Sequence, residues 1–274
     1  MKRALQSRSG RCRVSLALLL VTLSGIPGCQ REDDAIQLPP APTTDEGALP
    51  SPEELVGQMS EFLQSHGQFA FDAFVTYEAL QESGQKLQFD LVQRMAVSQP
   101  DRLHWVTLRD DGSTNTVWFS DGVFTMLKQP ENIYGQIDGL GTIPEMVDVV
   151  VNEFGLVVPF SDFLLAGEES VFLRGLESSL YGGLTWVEGV WTHHVAFRSE
   201  LVDFQVWIRE DGDPIPQKLV ITWKYEEGLP SYVARFRKWR FSLPSDESQF
   251  RFVAPPDAER IEVIPVSPAD EVGY

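Results

Sequence analysis

Few residues in this sequence are of the types that do chemistry, and their spacing is poor for it. Four histidines occur, His66, His104, His193 and His194. The last two are adjacent in a stretch of strand-like alternation, so they would point to opposite faces and could not share a metal ion directly. His66 falls near a predicted helix end and His104 inside a predicted strand, where structural or exposed roles are expected. The neighbouring acids, Asp110-Asp111 and Glu168-Glu169, fall near turns. A solvated face explains them better than a general acid–base pair. The sequence has no H-E-x-x-H, no C-x-x-C and no Gly-rich phosphate loop, and no G-x-S-x-G nucleophile elbow. Carboxylates brought together from distant positions are the one catalytic arrangement a sequence does not expose. The expectation is a protein that is not an enzyme, with no metal and no cofactor.

The thiols carry more information. Residues 1–13 contain Lys2, Arg3, Arg8, Arg11 and Arg13 and no acid. An apolar run from Val14 to Leu23 follows, then Ser24-Gly25-Ile26-Pro27-Gly28, then Cys29. That is the basic, apolar, small-residue order of a signal peptide. The apolar run is too short to span a bilayer as a helix, which takes about 20 residues. Residues 1–28 are therefore read as a signal peptide. Ile26-Pro27-Gly28-Cys29 resembles the bacterial lipobox, which implies lipidation of Cys29 by palmitate-like acyl chains. The alternative is ordinary cleavage nearby, leaving a free thiol. One acyl chain holds a protein to a membrane marginally, whereas two or more hold it firmly. Cys12 leaves with the signal, so the mature chain has a single cysteine and no internal disulfide. Its core alone must hold it.

The full sequence has 22 basic and 40 acidic residues. Removing the signal leaves 17 and 40, a balance of −23. Such a chain is not expected to bind nucleic acid, where affinity rests on neutralising phosphate, or to lie flat on an anionic bilayer. Self-repulsion favours solubility.

Residues 30–50 are rich in Pro, Thr and acids and poor in apolar side chains. Together with Cys29 they are read as a lipid-anchored, disordered tether, 29–50. Ser51-Pro52-Glu53-Glu54 opens a helix with a capping box and Pro at its first position. Leu55, Met59, Phe62 and Leu63 fall on one face, and Gly67 ends it. Strands are predicted at 69–79, 87–97, 103–109, 116–119 and 123–127, with Asp110-Asp111-Gly112 and Asp121-Gly122 as turns. In the second strand Leu87, Phe89, Leu91, Met95 and Val97 share a face. A helical interruption follows: Thr142 caps a helix to Phe154, closed by Gly155, and short helices are expected at 159–165 and 170–176. Strands resume at 184–190, 191–198, 202–208, 218–225 and 233–241. Phe250 and Phe252 lead into a Pro-bearing tail. About ten strands are expected, in a domain over 51–267 followed by a tail, 268–274.

All seven tryptophans, Trp105, Trp118, Trp186, Trp191, Trp207, Trp223 and Trp239, fall in predicted strands. Val117-Trp118-Phe119 and Val206-Trp207-Ile208 put large apolar groups on both faces of a strand, where an antiparallel sheet needs only one. The second face needs a cover, and the helices at 51–66 and 143–176 are the candidates, with a ligand as the other possibility. The expected class is α+β.

A resemblance carries the reading further. Pro159-Phe160-Ser161-Asp162-Phe163-Leu164 is similar to a Leu-Pro-Leu-Ala-Asp-Leu-Leu element. His194 to Arg198 with Asp203 to Ile208 resembles its strand pair. Pro214 to Lys224 with Ala234 to Trp239 resembles the next pair, and Phe252 to Ala258 the closing segment. Together, over about 60–265, these resemble the predicted periplasmic proteins grouped as domain of unknown function 2092. That family is similar in fold to the outer-membrane lipoprotein carrier and its membrane-anchored receptor. The resemblance implies a strongly curved antiparallel half-barrel with helices packed on its concave face and an apolar cavity between. It supplies no catalytic residue.

Two functions are carried forward. The first is a non-enzymatic, lipid-anchored cell-envelope protein that binds a lipid or lipoprotein acyl chain between sheet and helices. Met146, Val150, Phe160, Phe163 and Leu164 are the residues expected to touch it. The second is a sensory or assembly module that uses the same concave surface for a peptide or protein partner. Location is expected on the periplasmic side of a bacterial membrane. Gln30 rather than Asp after the cysteine favours the outer membrane.

Overall fold

Ser51 starts the domain's first helix as expected. Its hydroxyl accepts from the backbone N–H of Glu54 at 3.2 Å, and the Glu54 carboxylate accepts from the Ser51 N–H at 2.8 Å. Two of the N–H groups that every helix leaves unpaired are thereby satisfied. The computed structural model describes residues 38–42, 50–165, 173–244 and 247–266. The signal, Cys29 and most of the tether lie outside the described residues, and the compact unit that holds the domain begins at Pro40.

After α1 (Pro52–Ser65) come six strands: β1 (Gln68–Leu80), β2 (Lys86–Ser98), β3 (Arg102–Arg109), β4 (Thr114–Ser120), β5 (Val123–Gln129) and β6 (Ile133–Asp138). Helices α2 (Ile143–Asn152) and α3 (Ser161–Leu164) interrupt them. Then follow β7 (Leu176–Val187), β8 (Val190–Ser199), β9 (Val202–Arg209), β10 (Pro216–Trp223), β11 (Ser231–Arg240), a 3₁₀ turn at Glu247–Phe250 and β12 (Glu259–Arg260). The twelve strands form one open sheet in the order β12-β6-β5-β4-β3-β2-β1-β11-β10-β9-β8-β7. All pairs are antiparallel except β12 on β6. Thus β1 is central, joining two hairpin meanders. Breaks in register at Ala70/Asp72, Pro216/Lys218 and Tyr181/Gly183 mark bulges, which bend and twist a strand locally. Asp121 and Gly122 both have positive φ, as a tight two-residue hairpin demands.

One face of the sheet, here the inner face, carries the core. Phe69, Phe71, Ala73 and Val75 of β1 align with Val97, Met95, Gln93 and Leu91 of β2, and Ala73 and Val75 with Phe236 and Ala234 of β11. The apolar ones among these side chains form a single cluster with Leu55, Val56, Met59 and Leu63 of α1, Ile143, Met146, Val147 and Val150 of α2, and Phe163 and Leu164 of α3.

Several expectations needed correction. The strand β6 went unrecognised, because its inward register holds Gly135 between Ile133 and Ile137 and so shows a weak apolar alternation. The strand expected from Leu184 begins at Leu176 instead. Its first half, Glu177 to Leu180, is exposed at a sheet edge and lacks an apolar stripe. Of the helix expected at 170–176, residues 170–172 lie outside the described residues and Leu176 is already strand. Strand β12 brings the number to twelve. The cover of the second, outer face is also different from that expected. Helix residues join the inner cluster, while the outer Ala70 and Ala96 meet Phe250 and Leu243. Outer Trp118 lies between His104 and Phe252, with ring centroids at 5.4 and 5.1 Å.

Candidate functional site on the inner face

The segment between the two meanders places the candidate residues. Thr142 caps α2 by accepting from the Glu145 N–H, and the Glu145 carboxylate accepts from the Gly141 N–H at 2.9 Å. Helix α2 ends at Asn152, and Gly155 just beyond it, at φ +62°, reverses the chain. After Pro159, Phe160 also adopts the left-handed region, at φ 56° and ψ 31°, just before α3. That conformation is strained for a bulky aromatic. Ring packing compensates: Phe160 sits 5.5 Å from Phe71, 5.1 Å from Phe236 and 6.0 Å from Phe163.

The structure places Met146, Val150, Phe160, Phe163 and Leu164 in one cluster, none more than 7% exposed. Phe160 packs on Phe71 of β1, and Phe160 and Phe163 on Phe236 of β11, near the middle of the sheet. Among the described residues, several polar ties hold this segment, one of them from the Val266 N–H to Glu153 O at 2.8 Å. The Leu140 N–H donates to Gly122 O at 3.1 Å, the Ile143 N–H to Pro100 O at 2.8 Å, and the Gln99 amide to Leu164 O at 3.4 Å.

Space remains on both flanks of this segment. Toward β9 and β10, a cavity of about 130 Å³ is lined by Val202, Phe204, Leu219 and Ile221 with Asp162 and Arg174. Burial there pushes the Asp162 carboxyl above the ordinary carboxylate range. Toward β5 and β6, a cavity of about 250 Å³ is lined chiefly by Phe124, Met126, Phe154, Leu156, Ile261 and Val263. Here the segment after β12 crosses onto the inner side of β6. A Cβ at Gly135 would overlap the Val263 side chain, so glycine is required for this crossing.

Sequence reasoning missed the polar pair on this face. Tyr232 donates its hydroxyl to Gln93 at 3.3 Å, and burial pushes the phenol pKa up. Gln93 was readable as the gap in the apolar series Leu91, Met95, Val97. Asp162 and the tail residues Ile261 and Val263 gave no comparable signal.

The histidines behave as adjacent strand residues do. His193 Nδ1 meets the Tyr181 hydroxyl at 3.0 Å on one face, while His194 Nε2 meets the Gln205 amide at 2.9 Å and its ring stacks on Trp207 at 4.1 Å on the other. Among the described residues, no group of three His, Cys, Asp or Glu side chains could hold a metal, and no helix is long and apolar enough to cross a membrane. What the inner face offers is an apolar enclosure with a few polar groups at its margins.

Among curated proteins, no sequence matches this one. Solved structures that align with it include an uncharacterized conserved protein from Thermus thermophilus, at 11% identity over 77% of this chain and 98% of that one, with a TM-score of 0.44. The Mycobacterium tuberculosis lipoprotein LppX aligns at 13% identity over 71% and 98%, with a TM-score of 0.41. A LolA superfamily protein from Nitrosomonas europaea aligns at 5% identity over 72% and 96%, with a TM-score of 0.32. The family model for predicted periplasmic proteins designated DUF2092 matches residues 52–264, nearly the whole domain just described, and the chain belongs to that family.

Proposed function

We propose that this is a non-enzymatic, lipid-anchored protein of the cell envelope that binds a lipid or lipoprotein acyl chain between the inner face of the sheet and the segment 143–164. In this reading the sheet is a half-barrel and the helices plug its concave side. The observation that carries it is the character of the plug. It packs apolar side chains into the core of the sheet and turns at two left-handed residues, Gly155 and Phe160. Small-molecule sites usually occupy about 300–1,000 Å³. The flanking cavities are smaller, so the acyl chain takes the space that Phe160, Phe163 and Leu164 fill now, with Met146 and Val150 lining its path. Each methylene removed from water contributes about 0.8 kcal/mol.

The test is a titration with a fluorescent fatty acid, with circular dichroism as the fold control. Phe163→Ser should weaken binding severalfold while leaving the spectrum of the sheet intact. If wild type binds no acyl probe at micromolar concentration, the proposal fails and a peptide or protein partner becomes the better occupant. Anchoring is tested separately. Cys29→Ser should release the chain from the membrane fraction, and a mature N-terminus at any other residue would refute lipidation.

A further inference from the structure

The outer face holds a second surface, unrelated to the plug. On this acidic chain the cations are unevenly placed. Arg94, Lys218, Arg235, Arg237, Lys238 and Arg240, six of the 17 outside residues 1–28, lie on β2, β10 and β11 around the outer side of β1. Register fixes their neighbourhood. Arg94 and Arg237 flank Asp72, and Arg235 lies between Phe74 and Lys218. Asp72 is buried and bound by Lys238 at 2.9 Å, and Glu188 takes Arg237 at 2.8 Å. Among the described residues, no ion pair is made by Arg94, Lys218, Arg235 or Arg240. Asp72 and Glu188 thus answer two of the six cations. Lys218 is held against the Trp207 ring at 4.1 Å, and Arg237 lies over the Phe74 ring at 5.0 Å.

Beside this row runs an apolar trough. Phe74, Val92 and Leu108 are cross-strand neighbours on the same outer face. Phe74 and Leu108 are each 41% exposed. They floor a groove of about 410 Å³ with Arg235 on its rim and Asp90 and Asp110 at its far end.

We infer that this groove and its cation row form a docking surface for an acidic, extended polypeptide segment whose carboxylates meet Lys218, Arg235 and Arg94 and whose apolar side chain seats on Phe74 and Leu108. Charge complementarity selects the occupant. Strands lie about 4.8 Å apart, so the row from β10 to β2 spans about 15 Å. An extended segment of four or five residues reaches that far at about 3.3 Å per residue. A membrane surface would present its negative charge to the whole acidic protein, which opposes it beyond this row. A narrow peptide can follow the cation row and leave most of that charge at a distance.

The purified full chain would be titrated with a short labelled peptide alternating Glu with Leu, with a Lys-Leu peptide and phosphatidylglycerol vesicles as the other arms. The acidic peptide should bind in a salt-dependent manner and the basic peptide should not. Replacing both cations, Lys218→Gln with Arg235→Gln, should weaken binding about tenfold or more, equivalent to about 1.4 kcal/mol per factor of ten. Phe74→Ser should weaken it independently, and Arg260→Gln on β12 should not change it. None of the four substituted residues is buried, and circular dichroism of each variant confirms folding. Equal binding of both peptides, insensitivity to the double replacement, or binding to vesicles in place of the acidic peptide would overturn the inference.

Discussion

The two faces of this sheet are built from similar residues and do different things. The inner face gathers Phe69, Phe71, Trp105, Val117, Phe119, Val195, Val206 and Phe236 into one core with three helices. The outer face also carries aromatics, but they pack in small groups. Trp118 is clamped between His104 and Phe252, and Trp207 lies beneath His194 and Lys218. Phe74 is left half open under Arg237. A large apolar residue on the second face of a strand therefore does not imply a second core. Its ring can serve as a platform for a histidine or a cation, at about 0.5–2 kcal/mol per cation–π contact.

The sharpest way to break this contrast is a matched pair of truncations. Phe71 and Phe74 lie three residues apart on β1, the first fully buried and the second 41% exposed. Phe71→Ala should lose about 3–5 kcal/mol in urea unfolding, the usual cost of a buried Phe. Phe74→Ala should lose less than about 1 kcal/mol. Similar losses would mean that the outer trough is part of the core.

Acid should act on both faces, and a substitution isolates the outer one. Burial against Trp118 lowers the His104 pKa from its ordinary 6.5. The folded state then holds fewer protons at this site than the unfolded chain does. Its contribution is present above pH 6.5 and lost as pH falls below that value toward the lowered folded pKa. His193 on the inner side is shifted in the same direction. Thermal melts should therefore show stability falling below about pH 6.5, and His104→Gln should flatten part of that slope. An unchanged slope would rule out His104 as a source.

The smallest effect concerns the backbone of the plug. Phe160→Ala and Phe160→Gly both delete the ring, but only glycine relieves the left-handed conformation, which costs an L-residue about 1–2 kcal/mol. The Gly variant should be at least as stable as the Ala variant, despite the usual preference for Ala. The reverse order would show that the segment rearranges once the ring is gone.

Where the sequence was legible, the signals were local and physical. Ser51-Pro52-Glu53-Glu54 predicted α1 to its capping bonds, and Asp121-Gly122 predicted the β4–β5 turn. The ordered strand pairs from His194 to Trp239 carried the family. What stayed hidden depended on partners distant in sequence. Gly135 weakens the alternation of β6 because Val263 occupies the place of its side chain. Glu177 to Leu180 looked irregular because an edge strand has little to bury. The inner placement of Phe160 and Phe163 followed from their apolar character, whereas Asp162 gains its shifted pKa only from a cavity that β9 and β10 help to build.

The segment that crosses β6 also governs when this sheet can be finished. Its ties are long: the Asn132 amide donates to Pro256 O across 124 residues, and the Ser120 hydroxyl to Phe250 O across 130. A chain that emerges from its N-terminus, whether from a ribosome or a membrane pore, presents β6 well before residues 259–263 exist on the same side. For that interval β6 is a bare edge, with unpaired N–H and C=O groups available to any other strand. Central β1 is likewise waiting for β11. Contacts of such long sequence separation form slowly. The first six strands are therefore the form of this protein most in need of a holding chaperone, and dilution during refolding should raise the yield of native protein more than any change in the finished core.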